Sequence, residues 1–117
     1  MIEDKAKELG RLIGQSDEYK ILMRANDGLR EDQKAVTLLQ AMEKLRADAQ
    51  AMLSRNEEPT EAMEQELDGL LAQIQVMPVY QRMAVSQDNF DKLMRRVNDW
   101  IGEGIVKGAQ SPIITLG

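Results

Sequence analysis

Two apolar stripes of similar length lie on either side of one short polar stretch, SRNEEPTEAMEQEL at residues 54–67, and this restricts the chain more than any other feature. Before the stretch, Ala35, Leu38, Met42, Leu45, Ala49 and Met52 recur at alternating spacings of three and four. After it, Met63, Leu67, Leu70, Ile74 and Met77 repeat the pattern, with Leu71 to one side. That period is the seam of a helix packed lengthwise on another helix. Between the stripes, Asn56, Glu57 and Glu58 break the period, and Pro59 stops a helix from continuing behind it. Thr60 then offers a hydroxyl to the amides of a new first turn, which carries Glu61 and Glu64. Two long helices joined by so short a turn must lie antiparallel. The sequence therefore predicts a hairpin whose first helix runs from the Asp32 cap to about Ser54, on the order of 30 Å long.

The remaining segments extend this helical pattern. Residues 2–13 read as a short amphipathic helix with Ile2, Leu9, Leu12 and Ile13 as its apolar positions, ended by Gly14. Ser16 is the next cap, with Asp17 and Glu18 suited to a helix N-terminus, and opens a helix to about Gly28. Pro78 breaks the second hairpin helix and restarts a last one over about Val79 to Ile101, whose apolar positions are Met83, Phe90, Leu93, Met94, Val97, Trp100 and Ile101. Gln87 stands where that seam asks for an apolar residue, and it either fixes register or partner choice or is exposed at a frayed edge. In GEGIVKGAQSPIITLG, residues 102–117, Gly102, Gly104 and Gly108 and the β-branched run Ile113 to Thr115 depress helix propensity. This predicts a loosely packed terminus or an extended arm that docks on a partner. The expected fold is all-α, an antiparallel helical hairpin or bundle of about five helices with coiled-coil-like seams and an extended C-terminal tail. Residues 1–101 form one domain and residues 102–117 a Gly-rich apolar tail.

Composition removes most chemistry. The 117 residues include no Cys and no His, which excludes disulfides, thiolate metal sites, cysteine nucleophiles and imidazole acid–base work. No phosphate-cradling or nucleophile-elbow motif is present, and Glu57, Glu58, Glu61 and Glu64 surround a turn with no apolar wall or ligating loop. The sequence thus predicts no catalytic, cofactor-binding or metal-binding residue and no enzyme. A net charge of −5 argues against direct nucleic-acid binding. The one basic candidate, Arg82, Lys92, Arg95 and Arg96 on the last helix, does not form a single i, i+4 row. Gly104 and Gly108 make a G-x-x-x-G spacing, but its known use is in lipid, and Glu103 and Lys107 flank it here. The N-terminus MIEDKAKELGRLIGQ is charged and amphipathic, and no stretch suits a signal peptide or a membrane span, so a cytoplasmic location is expected.

What remains is surface. Met42, Met52, Met63, Met77, Met83 and Met94 form a methionine stripe in a chain with only 3% aromatic residues. Methionine serves both small cores and surfaces that repack against different partners. Seams this long, with so few large side chains, leave apolar area for a second subunit, and the expected state is a homodimer or higher homo-oligomer. The interface residues named on this basis are Met42, Met52, Met63, Leu67, Phe90, Met94 and Trp100, the last because tryptophan is enriched in binding hot spots.

The order of these features resembles the YlbF/YmcA family of small helical bacterial regulators, also called the control-of-competence family. SDEYK at Ser16 to Lys20 is similar to the family's S-x-E-Y helix start, and DQKAVTLLQAMEKL at Asp32 to Leu45 to the D-x-x-A opening of its long helix. EEPTEAMEQEL resembles the family's polar turn, and MPVYQRMAVSQDNFDKLMRRVNDWI, residues 77–101, resembles its last helix. The resemblance implies an all-helical oligomer without catalytic residues. Its best-known members join a third protein, YaaT, in a complex that acts with RNase Y in messenger-RNA processing. Some carry cysteines associated with iron–sulfur clusters; this chain has none, so no cluster is carried over. The leading expectation is a non-enzymatic regulator or adaptor that binds protein partners, such as RNase Y or a YaaT-like protein. Beside it stand a purely structural self-associating module and, with less support, an RNA-binding protein.

Overall fold

A computed structural model describes residues 1–116 of the chain, with side chains through residue 110. Its helices are α1 (Ile2–Gly14), α2 (Asp17–Glu31), α3 (Gln33–Ser54), α4 (Glu61–Gln75) and α5 (Pro78–Leu116), and no strand is present among the described residues. Each expected cap is in place. The Ser16 hydroxyl accepts from the Tyr19 amide at 3.2 Å, an Asp32 carboxylate oxygen from Ala35 at 2.9 Å, and the Thr60 hydroxyl from Met63 at 3.2 Å. Asp32 is the sole residue between α2 and α3; its extended backbone ends one helix while its side chain starts the next.

The hairpin turn contains a device that the sequence reading treated only as a break in period. Asn56 adopts φ 60°, the left-handed conformation, just past the end of α3. The Glu57 amide donates to the Met52 carbonyl at 2.8 Å and the Asn56 amide to Leu53 at 3.0 Å. These are the paired bonds of a Schellman motif, which satisfy carbonyls that the helix end leaves open. Asparagine is the side chain that best tolerates this position after glycine, because its short amide strains the backbone least.

Two boundaries differ from expectation. Helix α2 passes through Gly28 to Glu31, since one interior glycine costs only about 1 kcal/mol and the next residue, Leu29, is buried. The expected non-helical tail is corrected more substantially: α5 continues past Ile101 through Gly102, Gly104 and Gly108 and ends at Leu116. A helix already nucleated needs one hydrogen bond per added residue, so scattered glycines weaken it without stopping it. The part of the tail reading that concerns Gly117 lies outside the described residues. Pro78 behaves as expected, opening α5 directly after the Val76–Met77 junction, where the Gln81 side-chain amide donates to the Gln75 carbonyl at 3.0 Å. Gln87 is exposed in the single chain and donates to Asp91 at 2.9 Å.

The helices form two arms rather than one compact bundle. In the first, α2 lies along α5; in the second, α3 lies along α4; the arms join where α2 passes into α3 and α4 into α5. The antiparallel register of the hairpin brings Ile74 level with the Leu38–Met42 turn. Burial follows that plan: Ala35 and Ile74 are 0% exposed at the joined end, while Met52 and Met63 toward the tip are half-buried. The α2–α5 arm buries Leu22, Val97 and Ser86, whose hydroxyl donates to the Arg82 carbonyl at 2.7 Å. The molecule measures 67 × 38 × 21 Å, and its radius of gyration of 21.3 Å far exceeds the roughly 13 Å of a compact chain this long.

Ile74→Ala removes the largest fully buried side chain and is expected to cost about 2–5 kcal/mol in urea denaturation. Asn56→Val, which puts a β-branched residue into the left-handed conformation, is expected to cost about 1–2 kcal/mol, whereas Asn56→Gly should not destabilise.

Candidate protein-interaction surface

The residues named for an interface fall into three settings. Met52, Met63 and Leu67 are half-buried on α3 and α4, the two helices of the hairpin. Phe90 and Met94 are half-buried on α5, and the Phe90 ring packs against Tyr19 of α2 with centroids 5.6 Å apart and planes tilted by 60°. Phe90 therefore already has an intramolecular partner, of a geometry favourable for aromatic pairs. Trp100 lies beyond the N-terminus of α2 and is 57% exposed.

Met42 belongs to a second kind of place. Together with Leu29, Val36, Leu39 and the stems of Arg30 and Arg46 it lines an open groove of about 400 Å³ on the outer side of the α2–α3 elbow. A larger groove of about 560 Å³ runs between α2 and the start of α5. Its floor is short, with Ala25 and Ser86, and its sides carry Ile21, Val85, Arg24 and Arg82. Ile21 and Val85 are 50% and 61% exposed, so this groove presents apolar surface between two cations. Sequence reasoning missed it. The signal was the coincidence of small residues, Ala25 on one helix and Ser86 on the other, but it becomes a groove only once the pairing of α2 with α5 is known.

Methionine placement is the clearest common thread. Met23 and the six members of the stripe are all half-buried, with none sealed in the core and none fully exposed. Partial exposure of this kind suits a flexible thioether, which can pack against surfaces of differing shape. The basic residues of α5 are scattered by comparison. Lys92 lies 3.0 Å from Asp88, Arg96 lies 3.9 Å from Glu18 of α2, and Arg82 borders the larger groove. Among the described residues, no three acidic side chains gather in a way that could hold a metal ion, and no helix is long and apolar enough to cross a membrane.

Three comparisons bear on this surface. The family described as control of competence regulator ComK, YlbF/YmcA, matches residues 2–106. A UPF0342 protein of Leuconostoc citreum (strain KM20) is 20% identical over 98 residues, which cover 84% of this chain and 83% of that protein. Among solved structures, a chain of the crystal structure of Bacillus subtilis RicA in complex with RicF matches with a TM-score of 0.76. The match covers 93% of this chain and 96% of that one at 12% identity, so the likeness is one of fold.

The three settings predict different costs for truncation. Phe90→Ala should destabilise the isolated chain by about 1–3 kcal/mol, because it removes a ring packed on Tyr19. Trp100→Ala should change stability by less than about 0.5 kcal/mol under conditions where the chain is monomeric. Thermal and urea melts at low concentration check both.

Proposed function

The chain belongs to the YlbF/YmcA family, and from that premise we propose that it is a non-enzymatic regulatory adaptor that works by binding other proteins along its helical arms. The observation that carries this reading is the uncovered apolar surface. Ile21, Leu53, Val85, Trp100 and Ile105 are each half or more exposed. A chain that leaves so much area open while lining its seams with half-buried methionines is built to be completed by other surfaces. The family's description as competence regulators supports the regulatory half of the reading, and the RicA–RicF complex offers a precedent in which a chain of this fold assembles with a protein.

The finer form of the proposal is that the adaptor acts in RNase Y-type messenger-RNA processing in the bacterial cytoplasm, through RNase Y itself or a YaaT-like protein, and that it also self-associates. Met42, Met52, Met63, Leu67, Phe90, Met94 and Trp100 are the residues proposed to contribute. Phe90 acts by holding α2 against α5, and Trp100 acts by direct contact. A direct RNA-binding role has less support, because Lys92 and Arg96 already have carboxylate neighbours and Arg82 lies apart from them.

Affinity purification of the tagged chain from its native cells, with and without ribonuclease, tests the adaptor reading. Recovery of RNase Y or a YaaT-like protein that survives ribonuclease is the expected result. Recovery of the chain alone would replace the adaptor with a structural self-associating module. Recovery abolished by ribonuclease, together with filter binding to RNA that weakens steeply with salt, would favour the RNA-binding reading.

A further inference from the structure

The face of α5 that meets α2 does not end where α2 ends. On an α-helix of 3.6 residues per turn, Ser86, Phe90, Leu93 and Val97 share one face, and Trp100, Ile101, Gly104, Ile105 and Gly108 continue it. Up to Val97, which is 5% exposed, α2 covers that face. Helix α2 begins at Asp17, beside Arg96, so nothing from α2 lies over the remainder. Helix α1 does not replace it: Leu9 and Ile13 are its only half-buried residues, and it buries none. Trp100, Ile101 and Ile105 are consequently 57%, 45% and 66% exposed in one continuous apolar stripe. The glycines within the stripe have no explanation inside the chain, since a Cβ added at Gly104 or Gly108 would meet nothing within 4 Å.

We infer that this stripe is the contact by which two copies of the chain pair, the second copy's Trp100–Gly108 segment lying antiparallel across the first about a two-fold axis near Gly104 and Ile105. The inference rests on the self-association reading above and gives it a place. Charge selects both the occupant and its direction. Glu103 and Lys107 sit one turn apart on the same flank of the stripe. Antiparallel symmetry sets like flanks together, so each Glu103 meets the second copy's Lys107, twice over. A parallel pair would set that flank against Asn98, Gly102 and Ala109, which carry no charge. The same antiparallel register brings Trp100 close to the second copy's Gly108, so the largest side chain of the stripe falls near a position with no side chain.

The absence of native cysteine makes the test clean. Equilibrium sedimentation of the full chain is expected to give a dimer, and Ile105→Glu, exposed in the single chain, should weaken it by about 30-fold or more with unchanged helical circular dichroism. Independently, Ile105→Cys should form an interchain disulfide under mild oxidation much faster than Ala6→Cys on the exposed face of α1. A dimer that survives Ile105→Glu, or an Ile105→Cys chain that cross-links no faster than the Ala6→Cys control, would overturn the stripe and leave self-association to another face. A wild-type chain that sediments as a monomer throughout would overturn the stripe and self-association together, and would leave binding to other proteins to the purification experiment.

Discussion

Everything in this molecule depends on the small patch where two arms are joined end to end. A helix with one neighbour can bury only a narrow stripe, and each arm here is a pair of helices with no second layer behind it. Only near the join, where α2 through α5 come together, does a side chain as large as Ile74 become fully enclosed. Burial falls away along the hairpin from there, from Leu38 at 7% exposure to the half-buried Met52. The gradient is a direct result of the plan, because the base of the hairpin is backed by the other arm and its tip is not.

That plan also explains the composition. Bulky aromatic side chains need walls on several sides, and a paired-helix arm supplies walls on one. The ring pair in the α2–α5 arm, Tyr19 against Phe90, joins the two helices of that arm. Elsewhere methionine and leucine fill the seams, and short residues such as Ala25 and Ser86 leave a groove rather than a core. The residues that fill the seams are therefore also half open to the outside. A substitution such as Phe90→Ala weakens an arm and any partner seated on it, whereas one at Trp100 touches only what lies outside.

The local structure was readable because it is determined locally. Ser16, Asp32 and Thr60 announce their helices through hydroxyl or carboxylate groups within three residues of the amides they satisfy. The two stripes were legible for the same reason, as a period along one segment. Three things were not. Asn56 carries a left-handed cap that broken periodicity alone does not reveal, although asparagine is, after glycine, a mark of such an ending. The length of α5 was misread because glycine propensity was allowed to outweigh the momentum of a helix already formed. The groove and the outer stripe of α5 depend on which helix lies against which, and on where α2 stops, facts that no window of sequence contains.

The single-residue joint at Asp32 gives the molecule a mechanical character. Helix α3 is 22 residues long, so its far end stands about 33 Å from the joint. A rotation of about 10° there would sweep the hairpin tip through about 6 Å, several times the shift at the joint itself. The return connection, Val76–Met77, lies at the same end, so both strands of the lever pivot together and the seam between them need not slide. The hairpin is thus a rod carried on a short connection, and the Asp32 carboxylate that accepts from the Ala35 amide fixes the first turn of α3 on the hairpin's side of it.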